Sequence, residues 1–178
     1  MRVVTGTARG MKLLEPEGMD IRPTTDVVKE ALFNIIQFDI EGRRVLDLFA
    51  GTGQLGIEAL SRGAASAVFV DQSKAAVKLV KANLEKTRLT GGRVVQGDSI
   101  SYLSGPEKFD LVFLDPPYAS GLLENALKKL FAFDKLHTGG IIVCESSAEK
   151  QLPEPEAPYA LLKSYRYGKV KLTLYTRL

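Results

Sequence analysis

The stretch RRVLDLFAGTGQLGIEALSRG, residues 43–63, decides how the rest of the chain reads. Its first part, RRVLDLFAG, is an apolar strand. Its second part, TGQLGIEALSRG, is a helix that Gly63 ends. Gly51, Gly53 and Gly56 lie across the junction, where a tight turn and a close approach to the backbone favour a residue without a side chain. A strand that passes through such a turn into a helix opens a parallel crossover unit.

The unit repeats downstream. ASAVFVDQS (65–73) is a strand, and SKAAVKLVKANLEKTRL (73–89) is an amphipathic helix with lysines on its outer face. GRVVQGDS (92–99) and FDLVFLDPPY (109–118) are further strands, GLLENALKKLFAF (121–133) is a helix, and GGIIVCESS (139–147) is a fifth strand. This alternation predicts an α/β fold, a parallel sheet with helices on both faces. QLPEPEAP (151–158) is a Pro-rich connector. YALLKSYRYGKVKLTLYTRL (159–178) then breaks the pattern with a hairpin turning near Gly168, so one of its strands must run antiparallel to its neighbour. Upstream, MRVVTGTARGMKLLEP (1–16) reads as another hairpin. IRPTTDVVKEALFNIIQF (21–38) reads as a helix capped by Thr24 or Thr25, with Val27, Val28, Ala31, Leu32, Ile35 and Ile36 as its apolar stripe.

The 178 residues, 45% hydrophobic and 25% charged, suit one globular domain that buries a core without disulfides or metal. The expected division is a single domain over 1–178, with residues 1–20 as a hairpin appendage and 21–178 as the core. Cys144 reads as a core residue; one cysteine forms no internal disulfide, which fits a reducing cytosol. His137 falls in a loop without a second His or Cys beside it, so no metal site is expected. No run is apolar enough for a signal peptide or a membrane span, and a cytoplasmic location is expected. The net charge of +3 is unevenly spread. Arg2, Arg9 and Lys12 at one end, and Lys163, Arg166, Lys169, Lys171 and Arg177 at the other, stand among no acids. Tyr159, Tyr165, Tyr167 and Tyr175 interleave with the second set. Such ends suit a polyanion, or simply the solvated face of a ribbon.

In open α/β sheets ligands bind outside the carboxyl ends of the strands. Asp47, Asp71, Asp98 and Asp115 each stand at or near such an end. Gly51, Gly53 and Gly56 match G-x-G-x-x-G, and Asp71 lies 18 positions beyond Gly53, close to the spacing of a ribose-binding acid. A dinucleotide is therefore one reading. Asp47 opposes it, because its carboxylate would face an anionic pyrophosphate. S-adenosylmethionine has no phosphate and carries an ammonium and a sulfonium, which an acid attracts. On that reading Asp71 accepts from both ribose hydroxyls, and Asp98, with the backbone of Ser99, reaches the adenine edge. Asp98 before SISYL can equally be a helix N-cap.

Asp115, Pro116, Pro117 and Tyr118 follow the fourth strand. An exocyclic amino group is a poor nucleophile, because its lone pair is delocalised into the base. Acceptors on its two N–H groups localise that pair; Asp115 and the Pro116 carbonyl can supply them, on a backbone the prolines hold stiff. Tyr118 offers a flat face for an extruded base. The alternative is a Pro-rich turn with an Asp cap.

With these residues in place, the chain resembles class I S-adenosylmethionine-dependent methyltransferases. More narrowly, it resembles the bacterial family that forms N2-methylguanine in small-subunit (16S) ribosomal RNA. The resemblance rests on RVVTGTARG, IRPTTDVVKEALFNII, VLDLFAGTGQLGIEALSRGA, FVDQS, LDPPY and the closing basic hairpin. It implies a Rossmann-like seven-stranded sheet whose last strand is antiparallel. It implies that Phe49, Gly51, Gly53, Asp71, Asp98 and Asp115 line the cofactor and amino-group site; Ala50, Thr52 and Gln72 join them as cofactor-binding candidates. It also implies that the segment around Arg22, Pro23 and Thr24 lies over the cofactor or forms the RNA-facing mouth, with Thr24 a cofactor candidate. The implied partner is 16S ribosomal RNA, within a small subunit or its assembly intermediate, and the implied state is a monomer. Rival readings are a DNA adenine-N6 or cytosine-N4 methyltransferase, a protein glutamine methyltransferase, and an RNA-binding module without catalysis.

Overall fold

Val, Leu, Ile and Phe dominate the central strands because a parallel sheet covered on both faces has no side for water. The computed structural model describes residues 1–17, 26–118 and 120–178. Helix α1 (Asp26–Ile35) precedes an alternation of β1 (Arg44–Asp47), α2 (Gln54–Ser61), β2 (Ser66–Asp71), α3 (Lys74–Thr87) and β3 (Gly92–Gln96). There follow α4 (Ser99–Tyr102), β4 (Phe109–Leu114), α5 (Leu122–Ala132), β5 (Leu136–Ser147), β6 (Tyr159–Tyr167) and β7 (Val170–Arg177). The seven strands form one sheet in the order β3-β2-β1-β4-β5-β7-β6. β1 pairs in parallel with both β2 and β4, so the sheet grows outward from β1 in two directions and has its switch point beside it. β7 runs antiparallel to β5 and to β6.

Period-two alternation divides the strands between two cores. Val45, Phe69, Phe113 and Val143 pack with α1 and α2 on one face. Leu46, Val70, Val112, Ile142 and Cys144 pack with α5 on the other. Cys144 is fully buried, and burial pushes its thiol up. The buried face of α1 is Val28, Lys29, Leu32 and Phe33, continued by Ile36; Val27, expected inside, is 70% exposed. Phe33 meets the Phe113 ring at 5.7 Å and the Arg62 guanidinium at 4.8 Å. Such full burial of a Phe contributes about 1.5–3 kcal/mol.

Other departures are local. The N-terminal segment makes a single antiparallel bridge, Arg2 with Lys12, rather than two strands. The Val3 amide donates to the Met11 carbonyl and the Leu13 amide to the Met1 carbonyl, each at 3.0 Å, and side chains of the core receive further amides of the segment. Glu58 accepts from the Val4 and Thr5 amides at 2.8 and 3.0 Å, and Ser61 Oγ accepts from the Ala8 amide at 2.9 Å. Val3, Ala8 and Leu13 are buried in the α1–α2 core. β5 starts at Leu136, which puts His137 on a strand, where its Nδ1 lies 2.9 Å from Asp110. Tyr159 and Tyr175 point into the α5 core beside Phe131, so they pack and do not stack on a partner. The expected caps Thr24 and Thr25 lie outside the described residues, as do Arg22 and Pro23.

Glu58 also holds Arg62 at 2.9 Å and Lys29 at 3.4 Å, with Lys29 and Glu58 fully buried. Burial pulls the Lys29 ammonium below its ordinary range, and Glu58 opposes that. Glu58→Ala strands the buried ammonium and two amides. It is expected to lower the unfolding free energy by about 3–5 kcal/mol in urea denaturation, and to speed amide exchange at Val4 and Thr5. Unchanged exchange there would show that the segment is held by other contacts.

Candidate functional site

The turn after β1 is shaped by backbone geometry. Gly53 adopts φ +82° as the N-cap of α2, a left-handed conformation that other residues take at a cost. Its missing Cβ would lie 3.1 Å from Val80, behind the loop. At Gly56 a Cβ would sit 2.3 Å from the Phe69 ring, so α2 can lie this close to β2 only without one. Asp47 leaves β1 with 2% exposure, and its Oδ2 accepts from the Gly56 amide at 3.1 Å. Asp71, ending β2, reaches back: Oδ2 accepts from the Gly51 amide at 3.0 Å and Oδ1 from the Ser73 amide at 2.9 Å. Asp71 thus fixes the glycine turn and the start of α3 together.

Asp98 caps α4, accepting from the Ser101 amide at 2.8 Å. The buried Ser99 hydroxyl donates to the Leu48 carbonyl at 2.8 Å, which ties α4 to the end of β1. Asp115 follows β4 directly. Asp47, Asp71, Asp98 and Asp115 line one cleft of roughly 760 Å³ at the carboxyl edge of the sheet. Phe49, Ala50, Gly51, Thr52, Gln72, Ser99 and Pro117 complete the expected part of its wall.

A protein-family model described as "Conserved hypothetical protein 95" matches residues 1–176. The chain belongs to that family. It is 37% identical over 178 residues to the ribosomal RNA small subunit methyltransferase D of Escherichia coli strain K12, covering 99% of this chain and 90% of the relative. The ribosomal RNA small subunit methyltransferase D of Haemophilus influenzae is also 37% identical, over 98% of this chain and 93% of its own. The solved structure of the Escherichia coli protein yhhF matches with a TM-score of 0.90 at 36% identity, covering 99% of this chain and 97% of that one. The sheet described above is the α/β class I methyltransferase sheet, last strand antiparallel, that the sequence led us to expect.

Within this family member not every expected residue faces the large cleft. Gly53 is not part of its wall, and a Cβ there would point at Val80. Pro116 and Tyr118 line a small neighbouring cavity instead, which Pro117 shares; Tyr118 is 36% exposed. Thr24 lies outside the described residues. The sequence reading missed a whole wall: Met1, Glu15, Pro16 and Glu17. The Met1 ammonium lies 3.3 Å from Glu15, and the Thr52 hydroxyl donates to Met1 Sδ at 3.3 Å. Asn83 holds this segment too, accepting from the Leu14 amide at 2.7 Å and donating to the Leu14 and Thr52 carbonyls. Nothing in the local pattern marks these residues. Leu79 and Ala76 of α3 and Ile100 and Leu122 add apolar surface.

Among the described residues the cleft is lined by acids, Glu15 and Glu17 included, and by no Lys or Arg. Burial pushes the Asp47 carboxyl up to about 8 from 3.8; the Gly56 amide opposes this, and Asp115 and Asp71 add to it. Because the folded pKa lies above the unfolded one, the folded state holds this proton. That contribution to stability is full below about pH 4 and is lost as pH rises through about 8. Asp47→Asn keeps an acceptor for Gly56 and removes the titration. Between pH 4 and 9 the ligand-free wild type is expected to lose stability relative to the variant, by roughly 1.4 kcal/mol per unit of pKa difference. Parallel stability curves in chemical denaturation would remove Asp47 from this account.

Proposed function

We propose that the protein methylates the exocyclic N2 amino group of a guanine in small-subunit ribosomal RNA, with S-adenosylmethionine as methyl donor. One observation carries the reading: a cleft lined with acids at the switch point of the sheet, with Asp115-Pro116-Pro117-Tyr118 on its rim. The donor set fits a cation without phosphate and opposes a dinucleotide, whose pyrophosphate would meet Asp47 and, among the described residues, find no lining Lys or Arg. The relatives' names support ribosomal RNA as the substrate class.

S-adenosylmethionine, when bound, supplies an electrophilic methyl group on a sulfonium. In this reading Asp47 and the glycine turn hold the amino-acid end, with Asp47 drawn to its charged form by the ammonium. Asp71, on the Phe49–Gly53 side, accepts from the ribose hydroxyls. Asp98, Ser99 and Gln72 border the adenine. Asp115 and the Pro116 carbonyl accept from the two amine hydrogens and aim the nitrogen lone pair into the cleft. Alignment of this kind is worth roughly 7–11 kcal/mol of barrier. Asp115 is the first acceptor for the proton that the nitrogen sheds, and water can carry it away. Tyr118 carries the extruded base on its face. Residues 1–178 act as a single catalytic unit in this reading, as a monomer in the cytoplasm, on a small subunit or its assembly intermediate.

β6 runs in the same direction as β5, so the β6–β7 turn at Gly168 lies on the same sheet edge as the cleft. Arg166 and Lys169 flank that turn, exposed, with Arg166 held by Glu149 at 3.1 Å. Arg177 lies at the other edge, bonded to Asp134 at 2.7 Å and so engaged in the fold. The turn is the better candidate to meet phosphate.

The test incubates the protein with labelled S-adenosylmethionine and undermethylated small subunits, free ribosomal RNA, duplex DNA or release factor. Label in N2-methylguanosine is expected. Label in a DNA base or in glutamine would overturn the substrate, and no bound cofactor would overturn the activity. Asp115→Ala should leave cofactor binding intact and cut the rate strongly. Tyr118→Ala should cost about 1–3 kcal/mol through weaker stacking; full activity would take Tyr118 out of the site. Arg166→Ala with Lys169→Ala should flatten the salt dependence of RNA binding, by about 0.7–0.9 in log–log slope for each phosphate no longer neutralised. An unchanged slope would assign the turn to solvent.

A further inference from the structure

Glu145 ends the apolar run of β5 and is 6% exposed. Along β5, Ile141 and Val143 face the α1–α2 core, while Ile142 and Cys144 face the α5 core. By alternation Glu145 turns to the α1–α2 face, the face that Asp115 reaches two residues after Phe113. The last registered pair of β4 and β5 is Leu114 with Cys144. Asp115 and Glu145 are therefore the next residues on neighbouring strands, which run about 4.8 Å apart. Glu145 lines the small cavity beneath Pro116, Pro117 and Tyr118, and with Asp115 it lines a second one. Glu145 thus neighbours the residues that the functional reading assigns to the target base, while it stands outside the lining of the large cleft.

An ionised carboxylate only accepts hydrogen bonds. Guanine alone among the amino-bearing bases has a protonated ring nitrogen, N1, next to the carbon that bears its amine. In adenine and cytosine the ring nitrogen in that position is a bare acceptor, which a carboxylate repels. Resting on the guanine-N2 reading above, we infer that Glu145 accepts the N1–H of the target base and makes this site selective for guanine. It acts on binding and orientation of the base; the methyl transfer itself stays with Asp115 and Pro116. A site built around such a bond rejects an analogue lacking the donor far more strongly than a shape-fitted pocket does.

2-Aminopurine keeps the amine and loses N1–H. Once the methylated guanine is mapped with the wild type, RNA carrying guanine or 2-aminopurine there is assayed with wild type, Glu145→Gln and Glu145→Ala. S-adenosylmethionine binding and thermal stability report that each variant is folded. The wild type should favour guanine by at least about a hundredfold in kcat/KM. The preference should fall by tenfold or more in Glu145→Ala, and less in Glu145→Gln, which keeps a neutral acceptor. Equal preference in all three proteins, with N2-methylguanosine formed, would overturn the inference and leave the reaction standing. Absence of N2-methylguanosine from the wild-type reaction would overturn the functional reading and this inference with it.

Discussion

The buried carboxylate of Glu58 is the interaction on which the cleft depends. It lies on α2, fully out of water, and its two oxygens are shared among the Val4 and Thr5 amides, Lys29 and Arg62. A lone carboxylate buried this deeply would be costly. Four donors offset that cost, and three of them, the Val4 and Thr5 amides and Lys29, come from segments distant in sequence from α2. The N-terminal residues have little regular structure to hold them, with one bridge between Arg2 and Lys12. They stay because Glu58, Ser61 and Asn83 satisfy their backbone. That places Met1 and Glu15 to Glu17 as a wall of the cleft. Without the clamp, the glycine turn would face open solvent on that side.

The second constraint is the period of the strands. Val45 and Asp47, Phe69 and Asp71, Phe113 and Asp115, and Val143 and Glu145 are each two residues apart, and the apolar member of every pair lies in the same core. Side chains that alternate must therefore deliver the four acids to one side of the sheet. The core that stabilises the domain and three of the acids that equip the cleft, Asp47, Asp71 and Asp115, are one pattern read at two depths, and Glu145 extends the pattern to the smaller cavities beside it. Moving any of these strands by one residue would turn its acid toward α5.

Much of this was legible in the sequence because it rests on local patterns. Alternating apolar runs and helical stripes pointed to the parallel sheet, and the hairpin without an intervening helix required an antiparallel strand. The strand-end acids were visible for the same reason. What escaped reading came from tertiary contact. The expected stripe of α1 counted apolar residues alone and so included Val27, which is exposed, and omitted Lys29, which Glu58 and the Arg2 carbonyl receive inside. Tyr159 and Tyr175 looked like partners for a polyanion among basic residues, yet Phe131 and α5 bury them. The wall made by residues 1–17 could not be seen at all, because its position is set by side chains fifty to seventy residues away.

The cleft is acidic while the proposed substrate is a polyanion, and the fold meets that opposition by separating the two charges. The acids line the recess, where a cation and a neutral base are attracted or tolerated. The exposed cations near Gly168 stand on the same edge, several strands away from β1. Screening in water confines each field to about 8 Å at physiological salt. Phosphates can then be held at the β6–β7 turn without crossing the acids, provided that only the base enters. Extrusion of the base is on this view more than a matter of reach. It is the arrangement that lets an acidic methyl-donor site act on RNA, because it leaves the backbone charge outside the cleft.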